Sequence, residues 1–205
     1  MYYTLSIYPL LSTELFQSID AIRGKYDPTS GFTIPHITVL FPVPDTVGER
    51  RLISHIENAL SDWSPFEIRL GGYYKSPDHW LFLTLVEGEE QVKKLYQALY
   101  TGILEDYRRD DFEYVPHLGL GLFINEGSSY DWNNPRPSDF DRETYEDALL
   151  QAKALHIKSI ILVDKLHLTK MPDEILEWAT GKRTRIPDDS FIIEVQEFYL
   201  DHPGG

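Results

Sequence analysis

Ile34-Pro35-His36-Ile37-Thr38-Val39 and Val115-Pro116-His117-Leu118-Gly119-Leu120 are two copies of one pattern, apolar-Pro-His-apolar-small-apolar, with their histidines 81 positions apart. Each copy opens a strand after a turn and is followed, past a loop, by a helical segment, which predicts two related lobes. Alternate residues of a strand face opposite ways. Ile37, Val39 and Phe41 then share one face of the first strand, with His36 and Thr38 on the other. In the second, Leu118, Leu120, Leu122 and Ile124 share a face, leaving His117, Gly119 and Gly121 opposite. Helices should cover the apolar faces, so the histidine faces are free to line a groove where the lobes meet. Proline fixes the backbone entering each strand and holds its histidine at the rim.

Outward from these strands, helix-like and strand-like periods alternate. Residues 3–10 read as a strand, and 12–25 as a helix with Ser12 and Thr13 as caps. Residues 46–63 read as a helix whose apolar stripe includes Leu52, Ile56 and Leu60. Residues 66–74 and 80–87 read as a hairpin closed by Ser76-Pro77-Asp78. Helices are expected over 89–107 and 142–156, and strands over 159–168 and 191–200. Because hairpins interrupt the alternation, the expected fold class is α+β with antiparallel sheets, not a doubly wound parallel sheet. The stretch 125–141, with Gly127, Asn133, Asn134, Pro135 and Pro137, reads as a long polar loop, either a lid or an insertion.

The chain of 205 residues is long enough to bury a real core, so one domain over 1–205 made of two lobes is expected, as a monomer. With no cysteine, thiolate zinc, iron–sulfur ligation and thiol nucleophiles are excluded. No signal peptide and no apolar run of the ~18 residues of a membrane span is readable, and the expected location is the cytoplasm. The formal charge of −14 works against binding a long nucleic acid by phosphate neutralisation. A short or cyclic phosphate ligand stays compatible, because a few side chains set a pocket's local field.

Two imidazoles facing one groove suit a displacement in which one proton is removed and another delivered, since a pKa of ~6.5 allows either role near neutrality. The Thr38 hydroxyl, two residues along the same face as His36, can donate to a phosphoryl oxygen as charge develops. At these residues the chain resembles the 2H phosphoesterase superfamily, which includes 2′-5′ RNA ligase-like proteins and cyclic nucleotide phosphodiesterases and is defined by two His-x-Thr/Ser motifs. The stretch Phe66 to Tyr74 followed by Trp80-Leu81-Phe82-Leu83 resembles that family's hairpin between motifs, and the order of elements is similar over roughly residues 2 to 170. The resemblance implies a metal-independent phosphodiesterase without a cofactor, acting on a 2′,3′-cyclic phosphate, a 2′-5′ linkage or a similar small nucleotide or RNA-end phosphodiester. It implies His36 and His117 as catalytic acid and base, with Thr38 and the backbone at Gly119 holding phosphate oxygens.

Gly119 departs from the motif, which expects a second hydroxyl there. Loss of one oxyanion donor costs ~10²–10³ in rate in a well-studied hydrolase, so a weak enzyme, or an inactive nucleotide- or protein-binding module on the same fold, is the alternative. Ordinary strand histidines and a metal site are the other readings of His36 and His117, the second lacking clustered carboxylates to complete a shell. His167-Leu168-Thr169 is a third His-x-Thr string without the preceding proline, and reads as structural. His55, His79, His156 and His202 need no function. Tyr73, Tyr74 and Phe123 are candidates for stacking a base. Arg69, Lys75 and Lys165 are candidate phosphate neighbours.

Overall fold

The computed structural model describes residues 1–131, 134–179 and 191–200; Asn133 of the polar loop and His202 lie outside them. The elements are β1 (Tyr2–Ile7), α1 (Thr13–Tyr26), β2 (Ile37–Pro44), α2 (Glu49–Leu60), β3 (Phe66–Lys75), β4 (Trp80–Glu87), α3 (Glu89–Leu99), β5 (His117–Leu122), α4 (Arg142–Ala154), β6 (Ile160–Val163), β7 (Lys165–Met171), α5 (Asp173–Ala179) and β8 (Ile193–Tyr199). Ser12 caps α1 as its sequence position predicts, its hydroxyl accepting from the Leu15 amide.

The strands form one sheet in the order β6-β3-β4-β5-β2-β1-β7-β8. All strand pairings are antiparallel, so the α+β class expected from the hairpins holds. At the centre β2 and β5 meet through the one residue pair Ile37–Leu118, which divides the sheet into two four-stranded halves. Helices carry the seam instead. Helix α1, which follows β1 of one half, packs on β5 of the other, and α3, which follows β4, packs on β2. Gly121 permits the first contact, because a Cβ there would lie 2.6 Å from the Cβ of Tyr26. A single apolar core runs beneath both halves, with Leu5, Leu40, Leu83, Leu118 and Leu120 fully buried. Among the described residues no helix is long and apolar enough to cross a membrane.

Strict alternation fails three residues after each motif histidine. Between Leu5–Leu40 and Ser6–Thr38 the extra residue is Val39, and between Leu81–Gly121 and Phe82–Gly119 it is Leu120. Each bulge inserts one residue and reverses the phase beyond it. Val39 and Leu40 are therefore both buried, while Phe41, expected on the core face, turns to the groove. Likewise Phe123 is buried and Leu122 only half-buried.

Three expected spans divide. The helix predicted over 89–107 stops at Leu99 and resumes as a 3₁₀ segment Gly102–Tyr107, because Tyr100 leaves the helical region at ψ 55° and Thr101 is extended. The helix predicted from residue 46 is a 3₁₀ turn Asp45–Val47, then Gly48 at φ 86°, then α2. The strand predicted over 159–168 is two strands: β6 pairs with β3 and β7 with β1, so the chain crosses from one half to the other at exposed Asp164. Helix α5 falls where no element was expected.

Candidate active site

A proline one residue before each histidine holds the carbonyl two residues back against the imidazole. His36 Nδ1 lies 2.8 Å from the Ile34 carbonyl, and His117 Nδ1 lies 2.6 Å from that of Val115. A carbonyl can only accept, so Nδ1 carries the proton in both neutral rings and Nε2 keeps its lone pair. Both rings line one cavity of about 750 Å³, together with Thr38 and Gly119. Extending the Ile37–Leu118 register by one residue sets His36 across from Gly119 and Thr38 across from His117. All four residues singled out in the sequence thus share the cavity.

Both histidines are half-buried, and the surrounding protein disfavours their charged forms. Burial lowers the pKa of His36; the Ile34 carbonyl pulls the other way, Arg23 adds to the lowering, and Asp27 opposes it. His117 is lowered to about 4, mainly by burial, against the Val115 carbonyl and with the charge of His36. Its ring stacks on Phe82 with centroids 3.4 Å apart.

The loop entering β2 is braced from behind. Buried Arg23 donates through Nε to Asp27, through one terminal nitrogen to the Thr33 carbonyl and through the other to the Thr33 hydroxyl, all within 2.9 Å. Asp27 in turn accepts from the amide and hydroxyl of Thr29. Tyrosine hydroxyls bond the backbone of β2: Tyr114 donates to the Thr38 carbonyl, and Tyr100 accepts from the Phe41 amide. Arg23, Tyr100 and Tyr114 escape a reading by motif because they act through backbone contacts 10 to 76 residues away in sequence, and Asp27 because it acts through Arg23.

Aromatic side chains wall the cavity. Trp80 and Tyr74 each lie near-parallel to Phe82 at 6.4 Å between centroids, and Phe41 and Phe112 lie at the other end. Of the aromatics read as base-stacking candidates, only Tyr74 lines this space. Tyr73 points away, its hydroxyl donating to the Ala152 carbonyl, and Phe123 is core. The hairpin tip is locked by Ser76, which donates to Asp78 and accepts from the Trp80 amide.

His167 lies on β7, two strands from β2, packed on Tyr8 and paired with Glu194 and Glu197. These three side chains form a group with metal-ligating atoms within 4.8 Å of one another, but Lys165 already places its ammonium on Glu197. Arg69 pairs with Glu87. Among the described residues, Lys75 alone of the three basic candidates has no carboxylate within ion-pair distance. His55 holds the Leu99 carbonyl, and His79 that of Arg136.

The fold is similar to that of LigT-like proteins. E. coli LigT complexed with 3′-AMP matches with a TM-score of 0.58 over 97% of both chains at 12% identity. TT0787 of Thermus thermophilus matches with 0.59 over 98% of this chain and 99% of its own, at 14% identity. In sequence, a protein of Bacillus licheniformis named "Putative phosphoesterase" is 22% identical over 133 residues, 64% of this chain and 76% of the relative. A Geobacillus protein of the same name is 23% identical over 175 residues, 82% and 87% of the two chains. The 2′-5′ RNA ligase superfamily profile matches residues 11–133, a span that holds both histidine motifs. The chain belongs to the 2′-5′ RNA ligase superfamily.

Proposed function

We propose that the protein is a metal-independent phosphodiesterase acting on a 2′,3′-cyclic phosphate, a 2′-5′ linkage or a similar small nucleotide phosphodiester. The observation that carries this reading is the matched setting of His36 and His117, each tied through Nδ1 to a carbonyl two residues back and each lining the same cavity. In this mechanism one Nε2 takes a proton from water as it attacks phosphorus. The second ring, protonated, gives its proton to the ribose oxygen as the P–O bond breaks. Thr38 donates to a non-bridging oxygen, and the backbone at Gly119 approaches the phosphate. Family membership and relatives named as phosphoesterases support ester chemistry at phosphorus. The E. coli LigT structures with 3′-AMP, NADP+ and ATP support a nucleotide as ligand, and the Trp80–Phe82–Tyr74 wall offers stacking surfaces for its base.

The test is hydrolysis of nucleoside 2′,3′-cyclic phosphates and a 2′-5′ dinucleotide in EDTA. Turnover should persist in the wild type and fall by ~10²–10⁴ in His36→Ala and in His117→Ala, the range for removing a general acid or base. Turnover untouched by either substitution sinks the assignment. Gly119 favours one second reading, nucleotide binding without turnover: the wild type would then gain thermal stability with the same nucleotides while hydrolysing none.

A further inference from the structure

Beside the main cavity lies a second one of about 350 Å³, lined by Lys75, Pro77, His79, Pro135, Pro137, Phe140, Arg142, Tyr145 and Glu146. Pro77 and Pro135 also line the main cavity, so the two spaces adjoin at the hairpin tip and the polar loop. The charge here runs against that of the molecule. In a chain with 33 acidic and 19 basic residues, Lys75 and Arg142 stand at one hollow. Among the described residues Lys75 has no carboxylate within ion-pair distance; its ammonium sits 4.2 Å from the Phe140 ring centroid and donates to the Ser76 carbonyl. Burial lowers its pKa, Asp78 opposes, and the like charge of Arg142 lowers it further. Arg142 pairs with Glu146 at 3.8 Å, with both side chains largely exposed. The walls are rigid. Arg136 and Asp139 form a two-point pair, Ser128 donates to Asp139, and His79, itself buried, bonds the Arg136 carbonyl while its Nδ1 stays without a partner.

We propose that this second cavity binds the phosphate of the nucleotide adjoining the scissile one, so that the substrate class is an oligonucleotide end carrying at least one internal phosphate, in preference to a mononucleotide. The proposal rests on the reading of the main cavity as a phosphodiesterase site. Two cations at one hollow suit the diffuse charge of a phosphodiester, and charge-assisted bonds are the strong class of polar contact. Pro77 and Pro135, shared by both linings, set it next to the cavity that holds the histidines.

The experiment compares kcat/KM for adenosine 2′,3′-cyclic phosphate with that for ApA ending in a 2′,3′-cyclic phosphate, in the wild type and in Lys75→Ala/Arg142→Ala. The wild type should favour the dinucleotide by about tenfold or more, and the double variant should lose that ratio. A dinucleotide with a neutral methylphosphonate at the internal linkage should behave in the wild type as the charged one does in the variant. An unchanged ratio in the variant, or full preference for the neutral linkage, overturns the subsite, even where both rates fall together. Should the wild type turn over neither substrate, the phosphodiesterase reading fails, and calorimetric binding of 3′-AMP against ApA 3′-phosphate decides the subsite. Tighter binding of the dinucleotide that the double variant abolishes upholds it; equal binding overturns it.

Discussion

At Gly119 the two motifs differ by a hydroxyl, and the space for one exists. A Cβ there would lie 3.7 Å from the nearest carbon of the Trp80 ring, an ordinary contact. Gly119→Ser should therefore fold and raise kcat on a cyclic phosphate, whereas Thr38→Ala should lower it by ~10²–10³, as for other oxyanion donors. Steady-state rates of the two variants read both effects; equal rates in Thr38→Ala and wild type would remove Thr38 from the phosphate. The histidines predict the pH dependence. The productive form holds one proton between the rings, so activity peaks between their two macroscopic pKa values. Both rings are lowered from 6.5, His117 to about 4. The kcat/KM profile should thus crest below pH 6.5 and fall toward alkaline pH as the shared proton is lost. A crest above pH 7 would contradict the burial that lowers these groups.

At the scale of elements, the motif strands were readable because proline, histidine and apolar residues recur at matched spacing. What was not readable arose from interactions between elements. Val39 and Leu120 look like ordinary members of an alternating strand, and only their cross-strand partners reveal the bulges that send Phe41 into the groove and Phe123 into the core. The run 160–168 is apolar except at Asp164, Lys165 and His167, and nothing local says that its two parts join different halves of the sheet. Arg23 reads as a surface residue of α1, yet it and Asp27 are both about 98% buried. Removing one partner of such a pair strands the other charge, which costs about 3–5 kcal/mol. Arg23→Ala should lose stability on that scale in urea unfolding. It should also reduce turnover, because the loop that sets His36 loses its tie at Thr33. The polar loop, open between lid and insertion in the sequence, is anchored at Asp139, whose carboxyl is held down to about 2 by Arg136 first and Ser128 second. A depressed folded-state pKa contributes stability that is present above about pH 4 and is lost as pH falls through 2. Asp139→Asn should melt below the wild type at pH 7, and the gap should shrink as pH falls from 4 toward 2.

Across the whole molecule, the repeat of 81 residues implied two lobes, but the connection between them depends on helices that the repeat itself does not describe. One strand pair, Ile37–Leu118, is too little to bind two four-stranded halves. The crossing of α1 onto β5 and of α3 onto β2 supplies what the sheet lacks, because each helix buries its apolar face on the half it does not follow. A shared core then makes the halves unfold together, and small domains with one core generally do so. Far-UV dichroism and tryptophan fluorescence should trace coincident urea transitions in the wild type. The same clasp identifies its weak point. Gly121→Ala puts a methyl carbon 2.6 Å from Tyr26 and 2.9 Å from the Phe123 ring, contacts that rigid neighbours cannot absorb without moving α1. Its cost should be about 1–3 kcal/mol, the range for overpacking, and it should fall on the seam. Separation of the two probes' transitions in Gly121→Ala, with the wild type remaining coincident, would locate the coupling at the α1–β5 contact. Coincident curves at an unchanged midpoint would mean that the halves are joined elsewhere.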